Sequence, residues 1–379
     1  MKYCHKCLQP NTRPNTKFYE GVCPACTFSN DTREVDWNYR LEELKGVLAK
    51  YTLEANSQTY DAVLGVSGGK DSIKLALWAR DYLKLRVLLV TVSYPPEQMS
   101  YRGARNLSTL ANKGFDVYTV GPSPKVWRTL MKVGFIENGN WARSTELALF
   151  SGVPRVAIQK KIKLILWGEN PALQLGDLGT LGKAGWDGNN LKYMNTLASI
   201  EPDWLSKIGF EKKELLAFQY PDEKEFAHSG IQIIYLGWAM HNFGLMQNAI
   251  FSNLRGMETR RDSFVNTQDL SHSASLDEDW VTLNQMIKYY KYGFGRVSDY
   301  VNEWIRGGWI SRENGIEIVQ KYDGRCSDKY IETFCEYIGI SLTEFWSTVN
   351  KFTNKEIFEI QEDGRPVPKF TVGKGGWSS

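Results

Sequence analysis

A chain of 379 residues is long enough for two or three domains and a large core. Its 42% hydrophobic and 23% charged content is that of a globular protein and excludes a disordered or fibrous one. A net charge of +3 gives no ground for a nucleic-acid surface, and no apolar run reaches the ~20 residues of a membrane span. With Met1-Lys2-Tyr3-Cys4 showing no apolar signal region, a cytoplasmic protein with no membrane or nucleic-acid partner is expected.

Residues 1–30 stand apart and hold four of the six cysteines. Cys4-x2-Cys7 and Cys23-x2-Cys26 are separated by fifteen residues, the template of a closed four-thiolate zinc site in a zinc-ribbon-like module. A closed site has no open coordination position, so a structural Zn2+ is expected; an iron–sulfur cluster or a redox pair are the alternatives. Residues 31–59 form a helical connector, with Trp37, Leu41, Leu44 and Leu48 at helical spacing. From Tyr60 the pattern alternates. Apolar strands are expected over 60–66, 86–92, 115–120 and 164–167. Helices are expected over 71–84 and 101–113, with a helical region over 123–162. This predicts an α/β domain over 60–270 built on a doubly wound parallel sheet, with ligands beyond the carboxyl ends of the strands. Residues 170–200 are glycine-rich and polar, the composition of a functional loop. Residues 271–379 read as a helical C-terminal region broken at Gly293, Gly307-Gly308, Gly324 and Gly339, with a loose tail from Arg365.

The stretch Ser67-Gly68-Gly69-Lys70-Asp71-Ser72 follows the first strand and opens the next helix. A strand running into a glycine turn and a helix directs backbone N–H groups and a helix dipole at one point, which suits a phosphate. Lys70 adds a cation, Ser67 and Ser72 add hydroxyls, and Asp71 can hold Mg2+ or orient a triphosphate. Walker A is excluded, because Leu64 stands where its first glycine belongs and Asp71 follows the lysine. Trp167-Gly168-Glu169-Asn170 follows the last strong strand. Glu169 there can hold Mg2+ or steer an attacking amine, or it is a water-exposed strand end. Asn170 can bond a substrate carbonyl. Asp177 and Asp187 are either further cleft acids or solvated loop acids. Arg255, Arg260 and Arg261 suit a diphosphate or a sugar carboxylate, and a charged helix end explains them equally well. Ser144-Thr145-Glu146 can be a helix cap only. No cysteine lies between Cys26 and Cys326, and there are four histidines. Nothing here builds a glutamine-hydrolysing Cys–His site.

The Ser67–Ser72 loop resembles the SGGxDS pyrophosphate loop of the ATP pyrophosphatases, the PP-loop superfamily, whose fold is adenine nucleotide alpha-hydrolase-like. The chain as a whole resembles the N-acetyl sugar amidotransferases of bacterial surface-polysaccharide and flagellar-glycan biosynthesis. The resemblance rests on the cysteine module, the loop and Trp167–Asn170. It also rests on Lys291-Tyr292-Gly293-Phe294-Gly295-Arg296-Val297-Ser298-Asp299 with Arg306, Gly307 and Lys321-Tyr322-Asp323-Gly324. It implies an enzyme that uses ATP and Mg2+ to turn the acetamido group of a nucleotide-linked N-acetyl sugar into an acetamidino group, releasing AMP and pyrophosphate. Ammonia would come from a glutaminase subunit and a barrel-type channelling subunit like those of histidine biosynthesis. Lys70, Asp71 and Glu169 are then the expected catalytic residues. Val66, Ser67, Gly68, Gly69, Lys70, Asp71, Ser72, Gly168 and Asn170 would bind ATP, Arg255, Arg260 and Arg261 the substrate, and Cys4, Cys7, Cys23 and Cys26 the metal. The zinc module and the helical C-terminal part are the expected docking surfaces, on the ground that neither is needed to build the nucleotide site. A tRNA thiolase of the same superfamily and a nucleotide-binding zinc-ribbon adaptor are the rival readings.

Overall fold

Four apolar runs begin the architecture: Ala-Val-Leu-Gly, Val-Leu-Leu-Val-Thr-Val, Val-Tyr-Thr-Val and Leu-Ile-Leu-Trp each become a strand. The computed structural model describes residues 1–52, 60–168, 185–191, 205 and 208–375. In chain order it contains α1 (Pro24–Asp31), α2 (Trp37–Thr52), β1 (Ala62–Gly65), α3 (Lys70–Leu77), β2 (Val87–Val92), α4 (Tyr101–Asn112), β3 (Val117–Val120), α5 (Pro124–Asn138), α6 (Ala142–Lys160) and β4 (Leu164–Trp167). Then come α7 (Glu223–Ser229), β5 (Gln232–Tyr235), α8 (Leu245–Asn253), α9 (Val281–Tyr292), α10 (Arg296–Arg306), α11 (Arg312–Tyr322), α12 (Asp328–Ile338), α13 (Leu342–Phe352), β6 (Phe358–Ile360) and β7 (Pro366–Pro368).

The main sheet has the order β3-β2-β1-β4-β5, and every pairing in it is parallel. The chain starts in the middle, steps out to β3, then returns across β1 to β4. That reversal puts a topological switch point between β1 and β4, where such sheets bind ligands. Side chains alternate between two cores, as a pleated strand requires. Leu64, Leu89, Leu166 and Ile234 face one core with Ile73 and Leu110. Val63, Leu88, Ile165 and Ile233 face the other with Val153 and Val156 of α6. The doubly wound parallel sheet is as expected. One strand was not anticipated: β5, which extends the β4 edge. The helical region 123–162 is two helices, broken where Gly139 adopts φ +56° and ends α5.

The C-terminal helices share a core with the sheet domain. Trp127, Met131 and Phe135 of α5 pack with Ile287 of α9, Phe334 of α12 and Phe345 of α13. The N-terminal module packs on the far end of the chain: Tyr3 and Leu8 join Val297 and Val301 of α10, Val319 of α11 and Val372. The tail is therefore not loose. β6 and β7 pair antiparallel, Val372 is buried, and Tyr3 N donates to Gly375 O at 3.3 Å. Among the described residues no helix is long and apolar enough to cross a membrane.

Candidate functional site

The loop after β1 is built by short-range backbone demands. Val66 N continues the sheet by donating to Val90 O at 2.8 Å. Gly68 then takes φ +78°, a left-handed conformation that side chains rarely adopt, and an added Cβ would stand 3.0 Å from Leu107 N and Asn106 Cβ. Gly69 precedes the first turn of α3, and the first-turn amides of any helix lack intrahelical acceptors. Lys70 is buried, with Nζ 2.7 Å from Asp71 Oδ2. Gly168 follows β4 and faces α3: a Cβ there would lie 2.1 Å from Leu75 Cδ1, so any side chain would have to push Leu75 aside. Glu169, Asn170 and Asp177 lie outside the described residues.

A helix far along the chain locks this turn. Asn248 of α8 is fully buried; its Nδ2 donates to Asp71 Oδ1 at 2.6 Å and its Oδ1 accepts from Lys74 Nζ at 2.9 Å. Ser252 Oγ donates to Lys70 O at 2.6 Å. Glu303 of α10 accepts from Leu245 N at 2.6 Å, so α8 is itself tied to the C-terminal helices. Burial of Lys74 lowers its ammonium to about 8. None of these partners follows from local sequence.

The loop opens into a cavity of about 360 Å³. Its floor is Ser67, Gly69, Lys70 and Asp71, and its far wall is the segment Ser273–Asp277 with Arg296, Asp299 and Tyr300. Arg296 supplies a second cation, with its Nη2 2.9 Å from Ser275 Oγ. The helical C-terminal part thus builds one wall of the loop cavity, contrary to the expectation that it stands aside from the site at the loop.

The three arginines expected to bind substrate separate. Arg260 is 3% exposed, and its guanidinium donates to Ala274 O, Ser275 O and Glu278 O and pairs with Asp279 at 2.6 Å. These bonds and its burial hold it in place, and it shapes the segment that walls the loop cavity. Arg255 sits exposed at the end of α8, its guanidinium 3.5 Å from the Phe251 ring centre. Arg261 is exposed and lines a different cavity with Arg102, Arg105 and Glu258. Asp187 accepts from Asn189 N and Gln232 Nε2 beside β5, a structural role. Ser144 and Thr145 are buried within α6 and do not cap it; the α6 N-cap is Trp141.

Cys4, Cys7, Cys23 and Cys26 are buried, and their sulfurs lie within 4.8 Å of one another. Cys4 Sγ is 3.9 Å from Cys26 Sγ, and Cys7 Sγ is 3.7 Å from Cys23 Sγ. A tetrahedron with metal–sulfur bonds of ~2.3 Å has edges of about 3.8 Å, so the four thiols fit one four-coordinate metal ion. Lys6 N and Gln9 N donate to Cys4 Sγ and Cys7 Sγ, and Cys23 N donates to Cys4 Sγ, which favours thiolates. Leu8 N donates to Asn302 Oδ1 at 2.7 Å and Arg312 donates to Cys7 O, fixing the metal module on α10 and α11.

Residues 258–371 match the family model described as LPS biosynthesis protein WbpG-like, C-terminal domain. The matched residues are the C-terminal part of the chain. The match starts at 258 and takes in Arg260 as well as the Ser273–Asp277 segment. The matched residues therefore include those that wall the loop cavity. The resemblance read from the sequence is met at this level: the match falls on the part that carries Lys291–Asp299 and Lys321–Gly324. No curated protein matches the chain. Similar solved structures include an NH3-dependent NAD synthetase from Campylobacter jejuni, 17% identical, covering 52% of this chain and 92% of that one at a TM-score of 0.28. Another is the U34-tRNA thiolase NcsA from Methanococcus maripaludis with its [4Fe-4S] cluster, 14% identical, covering 82% and 87% at a TM-score of 0.30. Likenesses this slight do not bear on the chemistry.

Proposed function

We propose that the chain is an ATP-dependent, AMP-forming amidotransferase of LPS-type glycan biosynthesis, acting on a nucleotide-linked N-acetyl sugar. The observation that carries this reading is the Ser67–Ser72 loop opening onto a cavity walled by residues that match the WbpG-like model. An amide carbonyl is a poor electrophile. Its oxygen attacks the α-phosphorus of ATP, the Pα–O bond to pyrophosphate breaks, and an O-adenylyl imidate results. Ammonia adds to the imidate carbon, the C–O bond to AMP breaks, and an amidine and a proton leave.

Such a reaction is accelerated mainly by positioning and by charge placed where charge develops. Lys70 and Arg296, with the loop amides, face the departing pyrophosphate. Asp71, whose side chain is 42% exposed, is the carboxylate that would hold Mg2+, which neutralises phosphate charge. Glu169 follows the tightly packed Gly168 and is proposed to orient the ammonia. The four-cysteine site is read as structural zinc, because its sulfur spacing fits a single ion.

Ammonia is proposed to come from separate glutaminase and barrel subunits. Burial raises the Cys326 thiol well above its ordinary value and pushes Cys335 up to about 11, so neither is poised as a nucleophile. A thiolase would need thiolates beside the loop, and the sequence has none between Cys26 and Cys326. The test is product analysis by chromatography: AMP and pyrophosphate support the reading, whereas ADP and phosphate refute it.

A further inference from the structure

A second cavity, about 630 Å³, adjoins the loop cavity and shares Gln285 and Asp299 with it as walls. Three distant stretches build it: Arg13 from the metal module, Asn138 to Glu146 at the α5–α6 corner, and Lys288 to Phe294 around the end of α9. We propose that it is the acceptor site, taking the phosphate-bearing end of a nucleotide-linked sugar and presenting the acetamido group at Gln285 to the loop. This rests on the amidotransferase reading for the identity of the acceptor.

Charge comes first. Among the described residues the wall carries Arg13, Arg143, Lys288 and Lys291 against the carboxylate of Asp299. Its other acid, Glu146, is pushed up to about 8 by burial and is mostly protonated at neutral pH. Asp299 spans Lys288 at 2.7 Å and Arg13, holding both cations on the Phe294 ring. Lys291 Nζ donates to Asn138 O at 3.0 Å and makes no ion pair among the described residues. A phosphate group supplies the missing negative charge.

Amide recognition comes second. Gln285 Oε1 and Asn138 Nδ2 are buried without a hydrogen-bond partner among the described residues. An unmet acceptor and an unmet donor are costly unless a ligand meets them. Gln285 stands on the shared wall, so an acetamido N–H donated to its Oε1 places the carbonyl at the mouth of the loop cavity. The volume lies within the range of small-molecule sites.

The test is calorimetric titration of the full metal-loaded chain, with the loop kept saturated by α,β-methylene-ATP. The probes are N-acetyl sugars linked to UDP, GDP, dTDP or CMP, their non-acetylated counterparts, and N-acetylglucosamine itself. At least one nucleotide-linked N-acetyl sugar should bind, and N-acetylglucosamine should not. Lys291→Gln should weaken that binding at least tenfold without changing affinity for the ATP analogue. Gln285→Leu should abolish the preference for the acetylated over the non-acetylated sugar. If no nucleotide sugar binds, or if both variants bind like the parent, the proposal is overturned. Binding that behaves as stated, with no AMP formed when ATP and an ammonium salt replace the analogue, would sink the amidotransferase reading and leave the site standing.

Discussion

Asn248 Nδ2 lies 2.6 Å from Asp71 Oδ1, so a residue 177 positions downstream holds the carboxylate of the phosphate loop. The oxygen of the same Asn248 amide accepts from Lys74, and one buried side chain thereby fixes both. Replacing it with an apolar residue of similar size removes both bonds and little volume. Asn248→Leu is expected to cost about 2 kcal/mol, because Lys74 keeps its burial and loses a partner. It should also lower turnover about 100-fold by releasing Asp71. Denaturant unfolding and AMP release check the two parts; a variant of unchanged turnover would separate Asp71 from catalysis.

Arg260 and Arg255 should behave oppositely. Arg260→Gln removes one of the two cations that pair with Asp279, leaving Arg102, and takes the guanidinium away from three carbonyls; it should destabilise by about 3–5 kcal/mol. Arg255→Gln, at an exposed helix end, should stay within about 0.5 kcal/mol and leave the substrate KM unchanged. Thermal unfolding compares them directly.

Metal analysis of the purified chain should give one zinc ion and no iron. Cys23→Ser should lower the melting temperature more than it lowers turnover per folded molecule. Iron with a sulfide-dependent absorbance would overturn the zinc reading. Because Arg13 reaches the second cavity from this module, chelation should also weaken acceptor binding.

Stability should fall as pH rises from 4.5 to 8. Glu146 has its carboxyl raised from 4.5 to about 8 by burial. In that window the folded chain keeps a proton that the unfolded chain has released, so raising pH favours unfolding. Below 4.5 both states are protonated, and above 8 the effect is constant. Glu146→Gln should therefore reduce the loss of stability between pH 6 and 8 by about 1–2 kcal/mol. An unchanged pH slope in the variant would place Glu146 in contact with water.

Much of the sheet is legible in the sequence because β1, β2 and β4 are buried on both faces and read as apolar runs. β5 escapes, since Gln232–Tyr235 is only four residues and runs on into the apolar turn Leu236–Ala239, with no boundary between them in the sequence. The tail misleads because its Pro and Gly residues suggest looseness, whereas Val372 is pinned by Tyr3 and Leu8 from the opposite terminus. In the site, the loop and the cysteine pairs are legible because each is set by local spacing. Asn248 and Ser252 are not, being polar residues within an apolar helix, and their partners are known only after folding. Arg260 shows the same limit: nothing in Arg-Arg-Asp tells a guanidinium sealed by carbonyls from one facing a ligand.

The most direct test of the central claim is mass spectrometry of nucleotide-linked N-acetyl sugars incubated with the isolated chain, ATP, Mg2+ and an ammonium salt. Replacing the amide oxygen by NH lowers the sugar's mass by about 1 unit, with AMP and pyrophosphate formed in equal amount. Activity should rise with pH as more NH3 is present, vanish in Lys70→Ala, and be absent when glutamine replaces ammonium. A sugar of unchanged mass across the panel, or robust amidine formation from glutamine by the isolated chain, would contradict it.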